Sequence, residues 1–295
     1  MDLKSYLQSN IDRIDQALQQ YLPEESVLPQ SLHKAMRYSI FAGGKRLRPI
    51  LAIASCEAVS GSPDHVLPAA CALEMIHTYS LIHDDLPAMD DDDFRRGRPT
   101  NHKVFGEANA ILAGDALLTE AFRLLADPRY TQADPQTVLQ VIEIAARSAG
   151  SQGMVGGQAV DMESEGSQID FPTLEYIHTH KTGALILASV QIGGLLGGAE
   201  KGQLACLTRY GEAVGLAFQI ADDILDVTGD QTELGKGVGS DQARGKATYP
   251  AFMGLREARN RANELCTLAI DSLVEMGEGA DPLRLIARYI IDRSN

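Results

Sequence analysis

The sequence predicts an all-α fold in a single domain spanning residues 1–295. Nearly every segment places apolar residues three and four positions apart, the period of an amphipathic helix, and no convincing strand-like alternation interrupts this pattern. No linker rich in Pro, Gly or Ser divides the chain. With 44% hydrophobic residues, the chain can bury a sizeable core.

The first part of the chain contains four predicted helices. The opening amphipathic helix covers 2–22 and ends near Pro23. Ser31 is a candidate N-cap for the second helix, which runs to the glycine pair 43–44. A basic turn follows, and Pro49 can start the third helix. The fourth covers 65–86.

The remaining helices follow from the same periodicity and from their end signals. Asp170 can cap a helix that has Pro172 in its first turn, and this helix leads to a break around Lys181. The other predicted helices cover residues 107–126, 135–150, 151–163, 203–227, 248–277 and 282–293.

An acidic stretch follows the fourth helix. The helix places Asp84 and Asp85 at its C-terminal end, where the helix dipole disfavours negative charge unless a cation compensates. Pro87 should interrupt the helix. A loop at Pro87 would let Asp84 and Asp90 converge on one ion, which an unbroken helix would prevent. A solvated acidic turn is the alternative for this segment alone.

A second acidic cluster favours a shared metal site. Asp222 and Asp226 lie four residues apart, so they share one face of a predicted helix. Two carboxylates about 5 Å apart repel by roughly 3 kcal/mol at an effective dielectric constant of about 20. If both clusters face one cavity, cations are required, and oxygen ligands alone suit Mg²⁺ bound together with phosphate oxygens. The two clusters therefore predict a magnesium–diphosphate site.

These motifs resemble those of a known enzyme family. Asp84-Asp85-Leu-Pro-Ala-Met-Asp90, followed by Arg95-Arg96, and the later Asp222-Asp223-Ile-Leu-Asp226 resemble the two aspartate-rich motifs of trans-prenyltransferases. The resemblance covers nearly the whole chain. It implies an isoprenoid-synthase fold, with antiparallel helices around a central active-site cavity. It also implies a homodimer that condenses an allylic diphosphate with isopentenyl diphosphate, using Mg²⁺, three ions in all.

The resemblance assigns roles to particular side chains. The basic turn after the glycine pair suits an anion, and the family pattern makes it part of the isopentenyl diphosphate pocket. The predicted ligands of isopentenyl diphosphate are Lys45, Arg48, His77 and Arg96, and those of the allylic diphosphate are Arg95 and Lys181. The predicted metal ligands are Asp84, Asp85, Asp90 and Asp222. The residues predicted to act in catalysis are Lys181, Thr182 and Gln219, and the predicted lid lysines are Lys236 and Lys246.

Two residues of the fourth helix bear on product length. Tyr79 lies five residues before Asp84 and Ser80 lies four before it. In the family that the motifs resemble, an aromatic side chain at this place closes the cavity for the growing tail. A fifteen-carbon product is therefore expected, with ten or twenty carbons as the alternatives.

Charge and composition exclude several other classes of protein. The net charge of −14 argues against nucleic acid binding, which needs a basic surface. The four cysteines form no C-x-x-C pair, so reduced thiols are expected. The start of the chain does not resemble a signal peptide, and the apolar segment 184–199 is shorter than the ~20 residues that span a bilayer. A soluble, cytoplasmic protein is expected, without membrane association.

Three other classes of protein share parts of this sequence pattern. Two E-x-x-H motifs, Glu74 to His77 and Glu175 to His178, also occur in di-iron helical bundles, but that function leaves the aspartates unexplained. A terpene cyclase would carry a different second motif in place of Asp222 to Asp226. A non-catalytic regulatory subunit of a prenyl synthase would be expected to lack one aspartate motif, and this chain has both.

Overall fold

Helices form the framework of the protein. The computed structural model describes residues 1–130, 132–228 and 247–292. The helices are α1 Leu3–Tyr21, α2 Gln30–Ile40, α3 Leu47–Ala58, α4 Pro63–Asp84, α5 Asn101–Phe105, α6 Glu107–Ala126, α7 Pro135–Ala149, α8 Met154–Ser164, α9 Phe171–Ile177, α10 Ala184–Leu196, α11 Lys201–Thr228, α12 Tyr249–Met253, α13 Leu255–Ser272 and α14 Asp281–Asp292. The other elements are a hairpin of β1 Phe94–Arg95 and β2 Arg98–Pro99, a π-helical turn His178–Gly183, and 3₁₀ turns Val274–Met276 and Glu278–Ala280.

Helices α3, α4, α10 and α11 form the centre of the fold. Helix α4 packs on α3 and α6, and α10 packs on α3, α4 and α11. Close approach of α10 to α3 depends on Gly193, because a Cβ atom there would lie 2.1 Å from the carbonyl oxygen of Ala52. Any side chain at this position would force the two backbones apart. Gly193 of α10 therefore lets the central helices pack closely.

Polar side chains begin several of these helices. Asp2 Oδ2 accepts a hydrogen bond from Ser5 N at 3.0 Å, and Asp170 Oδ1 accepts one from Thr173 N at 3.0 Å. Each satisfies a backbone N–H that has no partner in the first helical turn. The prediction for Asp170 is confirmed. The prediction for Ser31 is wrong, because α2 begins at Gln30 and no side chain caps it.

Two features differ from the sequence prediction. The single helix expected over 248–277 is instead α12, α13 and a 3₁₀ turn, because Gly254 adopts φ 82° between α12 and α13 and ends the first of them. The β1–β2 hairpin was not predicted, since two-residue strands are too short to show alternation. The predicted helices 107–126 and 203–227 are confirmed as α6 and α11.

Among the described helices, none combines the length and the apolar character needed for a transmembrane span.

Candidate active site

A cavity of about 380 Å³ lies between the central helices. It is lined by the turn before α3, by the middle of α4, by the β-hairpin, by α8, by the π-helical turn and by the end of α11. The predicted site residues that line it are Lys45, Arg48, His77, Arg95, Arg96, Lys181, Thr182, Gln219 and Asp222. Residues more than 170 positions apart in the sequence therefore meet around one space.

The first aspartate motif forms a closed loop at the end of α4. The helix ends at Asp84, and the backbone N–H of Asp90 donates back to the Asp84 carbonyl oxygen at 2.8 Å. Asp84 and Asp90 are thus close, although the helix ends before Pro87 is reached. Burial raises the pKa of the Asp84 carboxyl to about 6, with Asp90 and Asp85 adding to the rise and Lys181 opposing it.

The Asp85 carboxylate is bonded to the guanidinium of Arg95. Its Oδ1 accepts hydrogen bonds from Arg95 Nε at 2.8 Å and from Arg95 Nη2 at 2.6 Å, and its Oδ2 accepts from Nε at 2.9 Å. Burial raises the pKa of Asp85 despite these bonds. Asp85 therefore orients the Arg95 guanidinium, and it does not line the cavity. Its role as a metal ligand stays a prediction.

The glycine pair before α3 brings cations together. Gly43 and Gly44 adopt φ 89° and 134°, and Arg96 Nη1 donates to the Gly43 carbonyl oxygen. A Cβ atom at Gly44 would lie 2.7 Å from the Arg96 guanidinium, so only glycine allows this approach. Burial lowers the pKa of Arg48 to about 10, although Glu74 and Asp222 oppose this change. This cationic end of the cavity suits an anion with several charges.

His77 belongs to the same end of the cavity. Burial lowers the pKa of its imidazole well below the usual value, and the positive charges of Arg48, Arg96, Arg95 and Arg46 lower it further. His77 is therefore neutral at pH 7 and has one N–H to donate. Donation to a phosphate oxygen needs no charge on the ring.

The break predicted around Lys181 is a π-helical turn. Lys181 Nζ contacts Asp161 Oδ2 of α8 at 2.6 Å, and Asp161 and Asp84 raise the pKa of Lys181 in spite of its burial. Asp161 was not predicted to be a site residue. Asp161 lies one helical turn after Gly157, a glycine of α8 that packs against the π-helical turn. This spacing is the feature of the sequence that could have identified Asp161.

All three aspartates of the second motif, Asp222, Asp223 and Asp226, line the cavity. Asp223 is also bonded to neighbouring parts of the protein. Asp223 Oδ2 accepts from the Tyr249 backbone N–H at 2.9 Å, and its Oδ1 accepts from Gln219 Nε2 at 3.3 Å. Asp223 thereby joins α11 to the start of α12, and it holds the amide of Gln219 at the cavity wall.

His178 was also missed as a site residue. It lines the cavity, and its Nε2 lies 3.7 Å from Asp223 Oδ2. Burial lowers the pKa of His178 to about 3, so the ring is neutral at pH 7. It stacks on the Tyr249 ring with centroids 5.4 Å apart. The E-x-x-H spacing that singled out His178 therefore reflects packing beside the second aspartate motif.

The residues assigned to product length lie outside the cavity lining. The Tyr79 side chain is buried, and its ring meets His83 edge-on with centroids 5.7 Å apart. Ser80 Oγ donates to the His77 carbonyl oxygen at 2.9 Å. Their influence on product length stays a prediction. Lys236 and Lys246, the predicted lid lysines, fall outside the described residues.

The aspartates can bind a hard cation only if other ligands complete the coordination shell of that cation. Within residues 1–130, 132–228 and 247–292, no three His, Cys, Asp or Glu side chains are grouped so that they could hold a metal ion by themselves. The donors at the cavity include the carboxylate oxygens of Asp222, Asp223 and Asp226, and burial raises the pKa of Asp84 in the acidic loop after α4. This donor set fits Mg²⁺ with water and phosphate oxygens as the other ligands.

The contact between α8 and the π-helical turn leads to a first prediction. A Cβ atom at Gly157 would lie 2.2 Å from the Lys181 backbone nitrogen, so Gly157→Ala should displace Lys181 and lower stability by about 1–3 kcal/mol. Chemical denaturation and turnover assays measure both effects. Gly202→Ala on α11 is the control, because nothing lies within 4 Å of its Cβ position. Equal stability changes in the two variants would contradict the prediction.

An all-helical fold around a cavity with carboxylates and cations defines the isoprenoid-synthase class. The chain matches the polyprenyl synthetase family over residues 29–273. It belongs to that family, and it is therefore a prenyltransferase.

Relatives and solved structures agree with this assignment. The farnesyl diphosphate synthase of Geobacillus stearothermophilus is 51% identical over 261 residues, 88% of each chain. The geranylgeranyl diphosphate synthase of Cyanophora paradoxa is 46% identical over 296 residues, 100% of this chain and 97% of the relative. The crystal structure of an FPP/GFPP synthase from Zymomonas mobilis superposes with a TM-score of 0.87 at 40% identity and 98% coverage of both chains.

Proposed function

We propose that this prenyltransferase condenses dimethylallyl or geranyl diphosphate with isopentenyl diphosphate to give farnesyl diphosphate and inorganic diphosphate. The observation that carries the proposal is the mixed charge of one cavity. The cations Lys45, Arg48, Arg96 and Lys181 line it together with the carboxylate of Asp222. Two diphosphates could bind there, one on cations alone and one on cations with metal. The names of relatives such as the Geobacillus synthase support this product.

The metal would be Mg²⁺, as three ions. Asp84, Asp90 and Asp222 are the proposed ligands, with Asp85 as a further candidate. When bound, Mg²⁺ would neutralise the negative charge that develops on the departing diphosphate. The support is the donor chemistry: Asp84 and Asp90 are joined in one loop, and Asp222 lines the cavity that Lys181 also lines.

The side chains of the cavity would divide the reaction between them. Lys181 and Arg95 would hold the allylic diphosphate as its C–O bond breaks and a delocalised allylic cation forms. Lys45, Arg48, His77 and Arg96 would hold isopentenyl diphosphate, whose double bond attacks the cation to form the new C–C bond. The departing diphosphate would then accept the proton that the product loses.

The cation must be protected between these steps. Thr182 and the backbone carbonyls of the π-helical turn would face the positive charge, together with the Gln219 amide. The apolar side chains of Leu81 and Phe218 line the same cavity and would exclude water, which would otherwise quench the cation. Lys236 and Lys246 are proposed to close the site, from a segment outside the described residues.

The assembly and location are part of the same proposal. We infer one domain, a homodimer and a cytoplasmic location, without a nucleic acid or membrane partner. The apolar side chains of Ile111 and Leu112, both exposed on α6, support a subunit interface there. All four cysteines are free, which supports a reducing compartment.

A product assay tests the proposal directly. The purified protein is incubated with isopentenyl and dimethylallyl diphosphates, either with Mg²⁺ or with EDTA, and the dephosphorylated products are chromatographed. Farnesol that appears with Mg²⁺ and disappears with EDTA is the expected result. Geraniol or geranylgeraniol would keep the mechanism and refute the assigned product. No product under any condition would favour a regulatory subunit.

A twenty-carbon product is the second candidate. The identity to the Cyanophora synthase favours it, whereas the aromatic ring of Tyr79 favours the shorter chain. The two glutamates that a di-iron site would need as metal ligands are instead bonded to other side chains of the protein. Glu74 is paired with Arg46, and Glu175 Oε1 accepts a hydrogen bond from the Tyr249 hydroxyl at 3.3 Å.

A further inference from the structure

One arginine beside the cavity has no contact with it. Arg46 lies between Lys45 and Arg48 in the sequence, yet its side chain is turned away from the cavity and is only 1% exposed. Its backbone is in the left-handed region, at φ 48° and ψ 33°, and it is the N-cap of α3. A residue other than glycine is strained in this conformation, so its surroundings must hold it there.

The guanidinium of Arg46 holds three parts of the protein. Nη1 donates to Glu74 Oε1 of α4 at 2.7 Å, Nε donates to Asp15 Oδ1 of α1 at 2.9 Å, and Nη2 donates to the Ile40 carbonyl oxygen at the end of α2 at 2.6 Å. The planar fork of arginine directs three separate nitrogens at the three acceptors, whereas the donors of a lysine all lie on one nitrogen. The glycine turn is therefore fixed to α1, α2 and α4 through one side chain.

Glu74 completes the arrangement. It is 2% exposed, and it lies one helical turn before His77, which lines the cavity. Its charge also opposes the fall in pKa that burial causes for Arg48 and Arg96. Glu74 is therefore placed to compensate the mutual repulsion of the arginines at this end of the site.

The arrangement determines where the two neighbouring cations point. Lys45 and Arg48 flank Arg46 and line the cavity. Nothing in the described part of the chain accepts a hydrogen bond from Nε of Arg48. Arg48 lies in the first turn of α3, which begins directly after Arg46, and the Arg46 guanidinium is bonded to α1, α2 and α4.

We propose that Arg46 and Glu74 are positioning residues for isopentenyl diphosphate: their buried ion pair holds the glycine turn so that Lys45 and Arg48 reach that substrate. Neither residue touches the substrate. This inference rests on the proposed function, because it assumes that the turn binds the isopentenyl diphosphate. It predicts that loss of the ion pair weakens the binding of isopentenyl diphosphate and leaves the binding of the allylic diphosphate unchanged.

The decisive variant removes the pair without changing the net charge. Arg46→Met/Glu74→Leu replaces a buried ion pair by apolar side chains of similar size, a change that proteins often tolerate. Removing Glu74 alone would also raise the positive potential at the diphosphate and obscure the loss of positioning. Arg46→Lys is the second variant, because it keeps the charge and loses the planar fork. Asp15→Asn is the matched control, since the Asp15 side chain is 40% exposed and Arg46 keeps its other two acceptors.

Steady-state kinetics with each substrate varied in turn gives the readout. In the double variant we expect the KM for isopentenyl diphosphate to rise roughly 10- to 100-fold, the range that a displacement of about 1 Å produces. The KM for geranyl diphosphate should stay within about twofold, and Arg46→Lys should show a smaller rise in the first KM. Calorimetric titration with isopentenyl diphosphate alone should show the same loss of affinity.

Several results would overturn the proposal. An unchanged KM for isopentenyl diphosphate in a folded double variant would do so, as would an equal rise in both KM values with a lower melting temperature. If the double variant does not fold, Arg46→Lys decides by the same criterion, and failure of both to fold would show that the pair serves folding only. A parent protein that makes no product refutes the proposed function instead, so the two failures are distinguishable.

Discussion

Asp222→Ala and Asp84→Ala should each lower the condensation rate by roughly 10²- to 10³-fold or more, the loss expected when a group that stabilises transition-state charge is removed. Asp222 lines the cavity, and Asp84 closes the loop that brings in Asp90. Without either carboxylate, Mg²⁺ would be bound less firmly. The negative charge on the departing diphosphate would then be less well compensated. Turnover under saturating substrate and Mg²⁺ measures the loss.

The stability of these variants separates a functional effect from misfolding. The pKa of Asp84 is raised to about 6, so its charged form is disfavoured in the folded, metal-free protein at pH 7. Asp84→Asn, which keeps the shape, should therefore melt at an equal or higher temperature than the parent in EDTA while losing activity. Asp271→Ala, at an exposed site on α13, is the control and should change neither property. Near-normal turnover in both Asp84→Ala and Asp222→Ala would refute the metal-site assignment.

The acidic loop was predictable because its signals are local. Pro87 interrupts a helix locally, and the helix dipole disfavours the charges of Asp84 and Asp85 at the helix end. These two local effects predicted that Asp84 and Asp90 could converge. The helix nevertheless ends three residues before Pro87, since the N–H of Asp90 returns to the Asp84 carbonyl oxygen. Periodicity placed the helix correctly, whereas the hydrogen bonds of the loop determined its end.

The partners of the buried charges were not predictable from spacing. Asp161 pairs with Lys181 across 20 residues, and Glu74 pairs with Arg46 across 28. In the sequence, Glu74 stood out only as part of an E-x-x-H pattern. The packing of α4 against the glycine turn determines that Glu74 pairs with Arg46. Such contacts between distant segments leave no periodic pattern in the sequence. Local patterns therefore identified many of the residues that line the cavity, but missed Asp161 and His178, which also line it, and the partners that hold the buried cations.

The role of Tyr79 leads to the second large effect. Tyr79→Ala should shift the main product from fifteen to twenty carbons, because it removes a ring from the face of α4 that leads to the aspartate motif. The side chain is only 6% exposed, so its removal should also cost about 3–5 kcal/mol of stability. Chromatography of the dephosphorylated products measures the first effect, and chemical denaturation measures the second.

The control for this variant keeps the ring and removes the hydroxyl. Burial raises the pKa of the Tyr79 hydroxyl to about 12, so it is protonated at pH 7 and contributes no charge to the site. Tyr79→Phe should therefore keep the fifteen-carbon product, because the ring still packs edge-on against His83. A shift in both variants would assign the effect to the hydroxyl. An unchanged product in a folded Tyr79→Ala protein would mean that the end of the tail channel lies elsewhere, since Tyr79 does not line the cavity that holds the diphosphate-binding residues.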